Sequence, residues 1–192
     1  MVVKPQLMPF DEINQLRDRL VYGNYIREDG KNGYVESYDD IEDFILEILV
    51  YSYMHGNRAA NEMLGVDLEI DPEKMENTIF RKIKGKDWRD RLHDVLEQGG
   101  TVEDIMRIAE TESHRDANEG IFDTANASGI ATSKTWRTMM DDRVREQHDY
   151  MEGQTVPFNS PFVTYDGHET QYPGGFGVPE LDINCRCYIV VS

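Results

Sequence analysis

Cys185 and Cys187 stand one residue apart in the run Asn184-Cys185-Arg186-Cys187, and His148 and His168 precede them in the same C-terminal third. Thiolate sulfur and imidazole nitrogen are the donors that zinc takes in a tetrahedral site. On a strand, residues i and i+2 share a face, so the two thiols would converge while Arg186 points away. His148 and His168 are then the candidate further ligands. A small, loop-rich unit would gain most from such a clamp, because its own core is marginal. The gap between the cysteines is not the usual two-residue one, and the chain has a single pair. Two other readings stay open: buried cysteines acting as small hydrophobes, and a strained disulfide between near neighbours.

A second constellation precedes the cysteines. On a helix, Arg145 and His148 are three apart and Asp142 lies one turn further back. A carboxylate that orients an imidazole makes a general base, and the same trio can instead be a polar network fixing a helix against a sheet. Thr111, His114 and Asn118 recur at steps of three and four on a long helical pattern, with Glu112 in reach of Arg115. They read as a polar helix face that packs on the C-terminal unit. The chain shows no phosphate loop, no G-x-S-x-G elbow and no H-E-x-x-H helix. No residue is assigned a catalytic role, and an enzyme is not expected.

These side chains must be positioned by the elements around them. Ile13, Leu16 and Leu20 give a short helix over 11–22, followed by a loop at Gly23, Gly30 and Gly33. Ser37 is placed to cap the next helix, whose broad stripe of Ile41, Phe44, Ile45, Ile48 and Leu49 continues to Met63 before Gly65. Asp71-Pro72-Glu73 starts a further helix, expected to end at Gly85, and 88–98 forms another. Thr101 and Asp104 form a box-like start for the longest pattern, which runs to Ser128 with Gly129 as its stop. After Gly129 the period changes. Short strands are expected at 134–139 and 185–191, a helix at 143–151, and a long structured loop with one or two strand fragments at 153–183. The fold class is α+β: a helical N-terminal region over 1–87, then a compact C-terminal unit with a small β-sheet over 88–192.

Composition sets limits. With 39% hydrophobic and 30% charged residues the chain should fold, and it holds no run of about 18 apolar residues that would span a membrane. Its start, Met1-Val2-Val3-Lys4-Pro5-Gln6, has no apolar signal region, and two cysteines make no disulfide framework, so a reducing compartment is expected. A net charge of −17 repels phosphate backbones and disfavours unaided DNA binding. The basic cluster Arg81, Lys82, Lys84, Lys86, Arg89 and Arg91 is broken by Asp87 and Asp90 and reads as a solvated turn and helix face.

The residues taken together carry a resemblance. The order Ala109-Glu110-Thr111-Glu112, Asn118, Lys134-Thr135-Trp136, Asp142-Arg143-Val144-Arg145, His148, Gly153, Pro157, Phe162, Gly167, Tyr172-Pro173 and Ile183-Asn184-Cys185-Arg186-Cys187 resembles the phage minor head protein family, also called the phage Mu protein F-like or head morphogenesis domain. It covers roughly residues 88–191. The resemblance implies a minor structural protein of a tailed-phage or prophage head, working with the portal, capsid and scaffold proteins. It implies assembly in the host cytoplasm, residence in the virion, and a role in head morphogenesis that extends in some systems to genome packaging or delivery. The family's terminal Cys-x-Cys and His map onto Cys185, Cys187 and His148. Glu112, Asn118, Trp136, Asp142, Arg145, Asn184 and Arg186 are the structural motif residues. Many members are longer or carry an appended toxin or transferase domain, which leaves three readings open here: an abbreviated portal-contacting part, a small variant of the family, or a trimmed piece of a longer chain.

Two rival functions accompany this expectation. One is a metal-dependent hydrolase or nuclease built on His148, Asp142 and the cysteine pair. The other is a toxin-associated interaction module.

Overall fold

The computed structural model describes residues 10–22 and 38–192. The loop expected at Gly23–Gly33 and the Ser37 cap lie outside them. Five helices come first: α1 (Phe10–Tyr22), α2 (Tyr38–Leu64), α3 (Pro72–Ile79), α4 (Trp88–Glu97) and α5 (Val102–Ser128). The remainder holds β1 (Ser133–Arg137), α6 (Glu146–Tyr150), β2 (Thr155–Pro157), β3 (Phe162–Val163), β4 (Glu169–Thr170), α7 (Pro179–Asp182) and β5 (Tyr188–Val191). The architecture is α+β, with the helices first and the small sheets after them.

Local chemistry accounts for most helix ends. Asp71 caps α3 by accepting from the backbone N–H groups of Glu73 and Lys74. Asp87 with Asp90, and Thr101 with Asp104, form reciprocal capping boxes at the starts of α4 and α5. The expectation that α3 runs on to Gly85 fails. It stops at Ile79, because Ile83 and Lys86 exchange backbone hydrogen bonds across a two-residue turn. Lys84 and Gly85 both take positive φ there, 51° and 85°, as such a turn requires.

The α2 and α5 helices, 27 residues each, form the spine of the molecule. They touch backbone to backbone at Gly56 and Gly120. A Cβ at Gly56 would lie 2.1 Å from the Ala117 carbonyl oxygen, and one at Gly120 would lie 2.4 Å from that of Tyr53. Small residues continue the contact at Ala59, Ala60, Ala117 and Ala125, all buried. Two apolar cores flank this crossing. The first joins α1, the start of α2, α3, α4 and the start of α5 through Leu16, Ile45, Leu49, Trp88, Leu92 and Ile105. The second joins the far ends of α2 and α5 to the sheet through Trp136, Phe162, Cys185, Cys187 and Ile189.

The main sheet has the order β2-β1-β5 and is antiparallel throughout. Its register sets Trp136 opposite Ile189 and Thr135 opposite Thr155. Alternation along β1 buries Lys134 and Trp136 on the face toward α5. The strand expected over 185–191 begins only at Tyr188, so Cys185 and Cys187 precede it in irregular chain. The helix expected over 143–151 shrinks to α6. Residues 141–144 form a turn instead, in which Val144 N–H donates to the Asp141 carbonyl. The expected loop at 153–183 holds three strand fragments and α7, where one or two strand fragments were expected.

Candidate functional site

The site is assembled where the chain's last turn meets α5 and α6. Asn184 takes a φ of 58°, a left-handed conformation that Asn tolerates better than most residues. That bend follows α7 and aims the next three residues along α5. The Asn184 N–H donates to Thr111 Oγ1 at 3.3 Å. His114 Nε2 and Asn118 Nδ2 both reach the Cys187 carbonyl, at 2.5 Å and 3.1 Å. Asn118 Oδ1 accepts from Ile189 N–H at 3.1 Å. The polar face expected at Thr111, His114 and Asn118 therefore does pack on the C-terminal unit, gripping its backbone at three successive turns.

The side chains of the same run diverge by role. Cys185 and Cys187 turn inward, buried and unlinked, so the disulfide reading is excluded. Each sulfur faces His148 Nδ1, at 3.7 Å for Cys185 and 3.5 Å for Cys187. Arg186 turns outward and grips Asp141 with two hydrogen bonds of 2.7 and 2.6 Å. The facing of the cysteines matches the strand expectation, although no strand produces it. The bend at Asn184 and the clamp of α5 on the Cys187 carbonyl do so instead.

His148 is itself enclosed. The Trp136 ring meets it edge-on at 5.5 Å, and Phe176 stacks on it at 5.8 Å. It is 1% exposed, and its Nε2 has no hydrogen-bond partner among the described residues. The hydrogen bond between the two thiols holds Cys185 well below the ordinary thiol range and pushes Cys187 up. Burial holds the His114 pKa down, which keeps that ring neutral.

Two expected members do not join. His168 is exposed, and its backbone N–H donates to Thr164 Oγ1. Asp142 is exposed on the turn before α6, and Arg145, the residue at the N-cap of α6, donates to the Ile183 carbonyl. The shared helix face that would have made Asp142, Arg145 and His148 a general-base trio is absent, because the chain is not helical before Glu146. His148 instead turns its Nδ1 to the cysteines.

A buried ion network adjoins the site, and the sequence reading misses most of it. Arg115 is 2% exposed and pairs with Glu112 at 2.5 Å and Asp116 at 2.9 Å. Arg91 reaches Glu112 at 2.9 Å, and Arg81 bonds Glu119 and, at 2.8 Å, the Tyr172 hydroxyl. Burial pushes the Asp116 carboxyl up to about 7 despite Arg115 beside it. Part of the supposedly solvated basic cluster thus serves α5 internally. Every residue from Glu112 to Ile121 is buried, so α5 is enveloped on all sides here. Lys134 is buried as well, with Nζ 4.8 Å from the Phe122 ring centre and 5.3 Å from that of Phe162. Burial lowers its pKa to about 8.

A scaffold of five helices among the described residues, in which α5 clamps a Cys-Arg-Cys tail, defines a helix-and-tail unit with an internal polar seam. The family model described as phage Mu protein F like protein matches residues 73–190. The chain belongs to that family. It is similar to the NAD(+)–arginine ADP-ribosyltransferase EFV of Enterococcus faecalis, 28% identical over 76% of this chain and 30% of that protein. It is also similar to the minor head protein GP7 of Bacillus phage SPP1, 29% identical over 43% of this chain and 27% of that one. The chain therefore spans less than a third of either relative's length. No solved structure gives a significant match.

Proposed function

We propose that this chain is a minor head protein of a tailed phage or prophage, acting in head morphogenesis. The observation that carries the reading is the family match, with a named relative beside it. The family match over 73–190 spans α5, the sheet and the clamped tail, and a protein named as a minor head protein aligns with this chain over 84 residues at 29% identity. In this reading residues 88–192 are the head-morphogenesis unit, and residues 1–87 supply the helical face that meets the portal, capsid or scaffold. The protein resides in the virion after assembly in the host cytoplasm, and its role extends to packaging or delivery of the genome.

Charge supports contact with proteins rather than with bare DNA. At −17 the surface repels phosphate, and Arg81, Arg89, Arg91 and Lys86 are already paired to carboxylates of this chain. Burial argues against hydrolysis at His148, Cys185 and Cys187, which are 1%, 4% and 3% exposed and present no face to a substrate.

One observation favours a second reading. The longer match falls in a protein named for ADP-ribosyl transfer, 30% of whose length it covers. That supports a module which accompanies effector domains, with the named chemistry assigned to the remainder of that relative. Tagged chain expressed in an infected or induced host tests the first reading. Portal and procapsid proteins should co-purify with it, and deletion should lower the yield of infectious heads. Heads that assemble and eject normally without the protein would sink it.

A further inference from the structure

The donor atoms of His148, Cys185 and Cys187 all lie within 4.8 Å of one another. Both sulfurs stand at nearly equal distance from one ring nitrogen, 3.7 and 3.5 Å. An imidazole nitrogen has a single in-plane direction for hydrogen bonding, either a lone pair or an N–H. It can serve one sulfur well, but not two placed to either side. A shared metal ion accounts for the spacing directly. Zinc bonds of about 2.3 Å to sulfur and about 2.0–2.1 Å to nitrogen, at a tetrahedral angle, set sulfur and nitrogen about 3.5–3.6 Å apart. One observed distance lies within that range and the other just above it.

The charges also fit. Two thiolates and one neutral imidazole cancel a dication, so the filled site is neutral and suited to its burial. The donors come from separate parts of the chain, His148 from α6 and the cysteines from the tail beyond α7. The walls are aromatic: Trp136 on one side of His148 and Phe176 on the other. Around the tail, the neutral Thr111, His114 and Asn118 fix its backbone, and the Arg145 guanidinium donates to the Ile183 carbonyl. No other His, Cys or carboxylate among the described residues joins the cluster.

We propose that His148 Nδ1, Cys185 Sγ and Cys187 Sγ bind one zinc ion, which staples the C-terminal tail to α6. The site is structural, with an exogenous fourth ligand. The proposal goes beyond the head-protein reading and does not depend on it. A metal-free chain could still assemble heads, and a zinc-binding chain could fail to.

The test uses the full chain, purified in reductant without chelator from cells grown with zinc. Elemental analysis should find about one zinc per chain. After chelation, cobalt(II) titration should produce thiolate-to-cobalt charge-transfer absorption with tetrahedral d–d bands, saturating at one equivalent and displaced by zinc. Cys187→Ser and His148→Ala should each weaken the site at least as much as the roughly 10–100-fold seen on losing an outer-shell partner. His168→Ala, at an exposed residue outside the cluster, should bind as the parent does. The cobalt spectrum of the parent chain reads thiolate ligation even where the variants fail to fold. A chain that keeps its circular dichroism yet shows neither bound zinc nor cobalt–thiolate bands overturns the proposal. So does zinc retained in full by a folded Cys185→Ser, Cys187→Ser double variant, or copper(I) found in place of zinc.

Discussion

The two ends of α5 are held by different means. At its start, Ile105, Met106 and Ala109 pack against Leu16, Ile45, Leu49, Trp88 and Leu92, a core of mainly aliphatic side chains from helices. At its far end the partners are Trp136, Phe162, His148 and two cysteines, supplied by short strands and irregular chain. Apolar burial is non-directional, so the first core tolerates many equivalent packings. The second depends on named hydrogen bonds, because its backbone runs outside regular structure and must be satisfied by side chains. Between them lies the enveloped stretch from Glu112 to Glu119, where ion pairs replace both. A helical core forms from a pattern; the clamped tail needs particular residues at particular places.

The largest test of that contrast is Trp136→Ala. Truncating this fully buried ring should cost about 3–5 kcal/mol in urea unfolding. Because α2 and α5 cross both cores, the loss should appear as one weakened transition. A surviving separate helical transition would break the picture of a shared spine. Next comes Gly120→Ala, whose Cβ would meet the Tyr53 carbonyl at 2.4 Å. Forcing the spine apart should cost about 3 kcal/mol by the same measurement.

Asn118→Leu sharpens the comparison from the polar side. It leaves the buried Ile189 N–H without its acceptor and should cost about 1–3 kcal/mol. Leu49→Met in the aliphatic core should cost less than about 1.5 kcal/mol. Equal losses would mean that the two regions are built alike.

Acid titration separates the buried seam from the exposed clasp. The Asp116 carboxyl sits at about 7 in the folded chain against 3.8 ordinarily, so folding holds a proton that the unfolded chain has released. Its contribution is present at low pH and lost as pH rises through about 7. Glu119 and Asp123 are shifted up by burial in the same sense. The melting temperature should therefore decline from about pH 4 to about pH 7 in the parent, and Asp116→Asn should flatten that slope.

Asp141 behaves oppositely and more weakly. The Arg186 hydrogen bonds hold its carboxyl down to about 2, so its contribution is present above 3.8 and lost as pH falls toward 2. Asp141→Asn should remove only this acid-side loss, the smallest change of the set, since both partners are solvent-accessible.

Legibility follows the same division. The starts of α3 and α5 were read from Asp71 and Thr101, because caps act over three or four residues, and the Asp87 box at α4 is a further cap of the same kind that the structure adds. Leu16, Ile45 and Leu92 announce their burial by helical period. The polar face of Thr111, His114 and Asn118 was readable from spacing, though not what it would grip. The pairing of Glu112 with Arg115 was readable too, but the burial of Arg115, Asp116 and Glu119 was not, since charged residues usually face water and nothing local says that a helix will be covered all round. A polar run flanked by small residues at Ala109, Ala117 and Gly120 was the available signal. The general-base trio failed because a turn held by Asp141 and tied to Arg186, 45 residues away, replaced the first part of the expected helix.

Local sequence was enough for the first five helices, for the caps at Asp71 and Thr101 and for the α+β order, whereas the common facing of Cys185 and Cys187 came from the Asn184 bend and the α5 clamp. The helices, caps and order are matters of short-range period, capping and composition. Only the tertiary structure decided that His148, and not His168 or Asp142, meets the cysteines, and that α5 holds the tail by its backbone. Such contacts join residues separated by 37 to 73 positions, and no local propensity carries information over that distance.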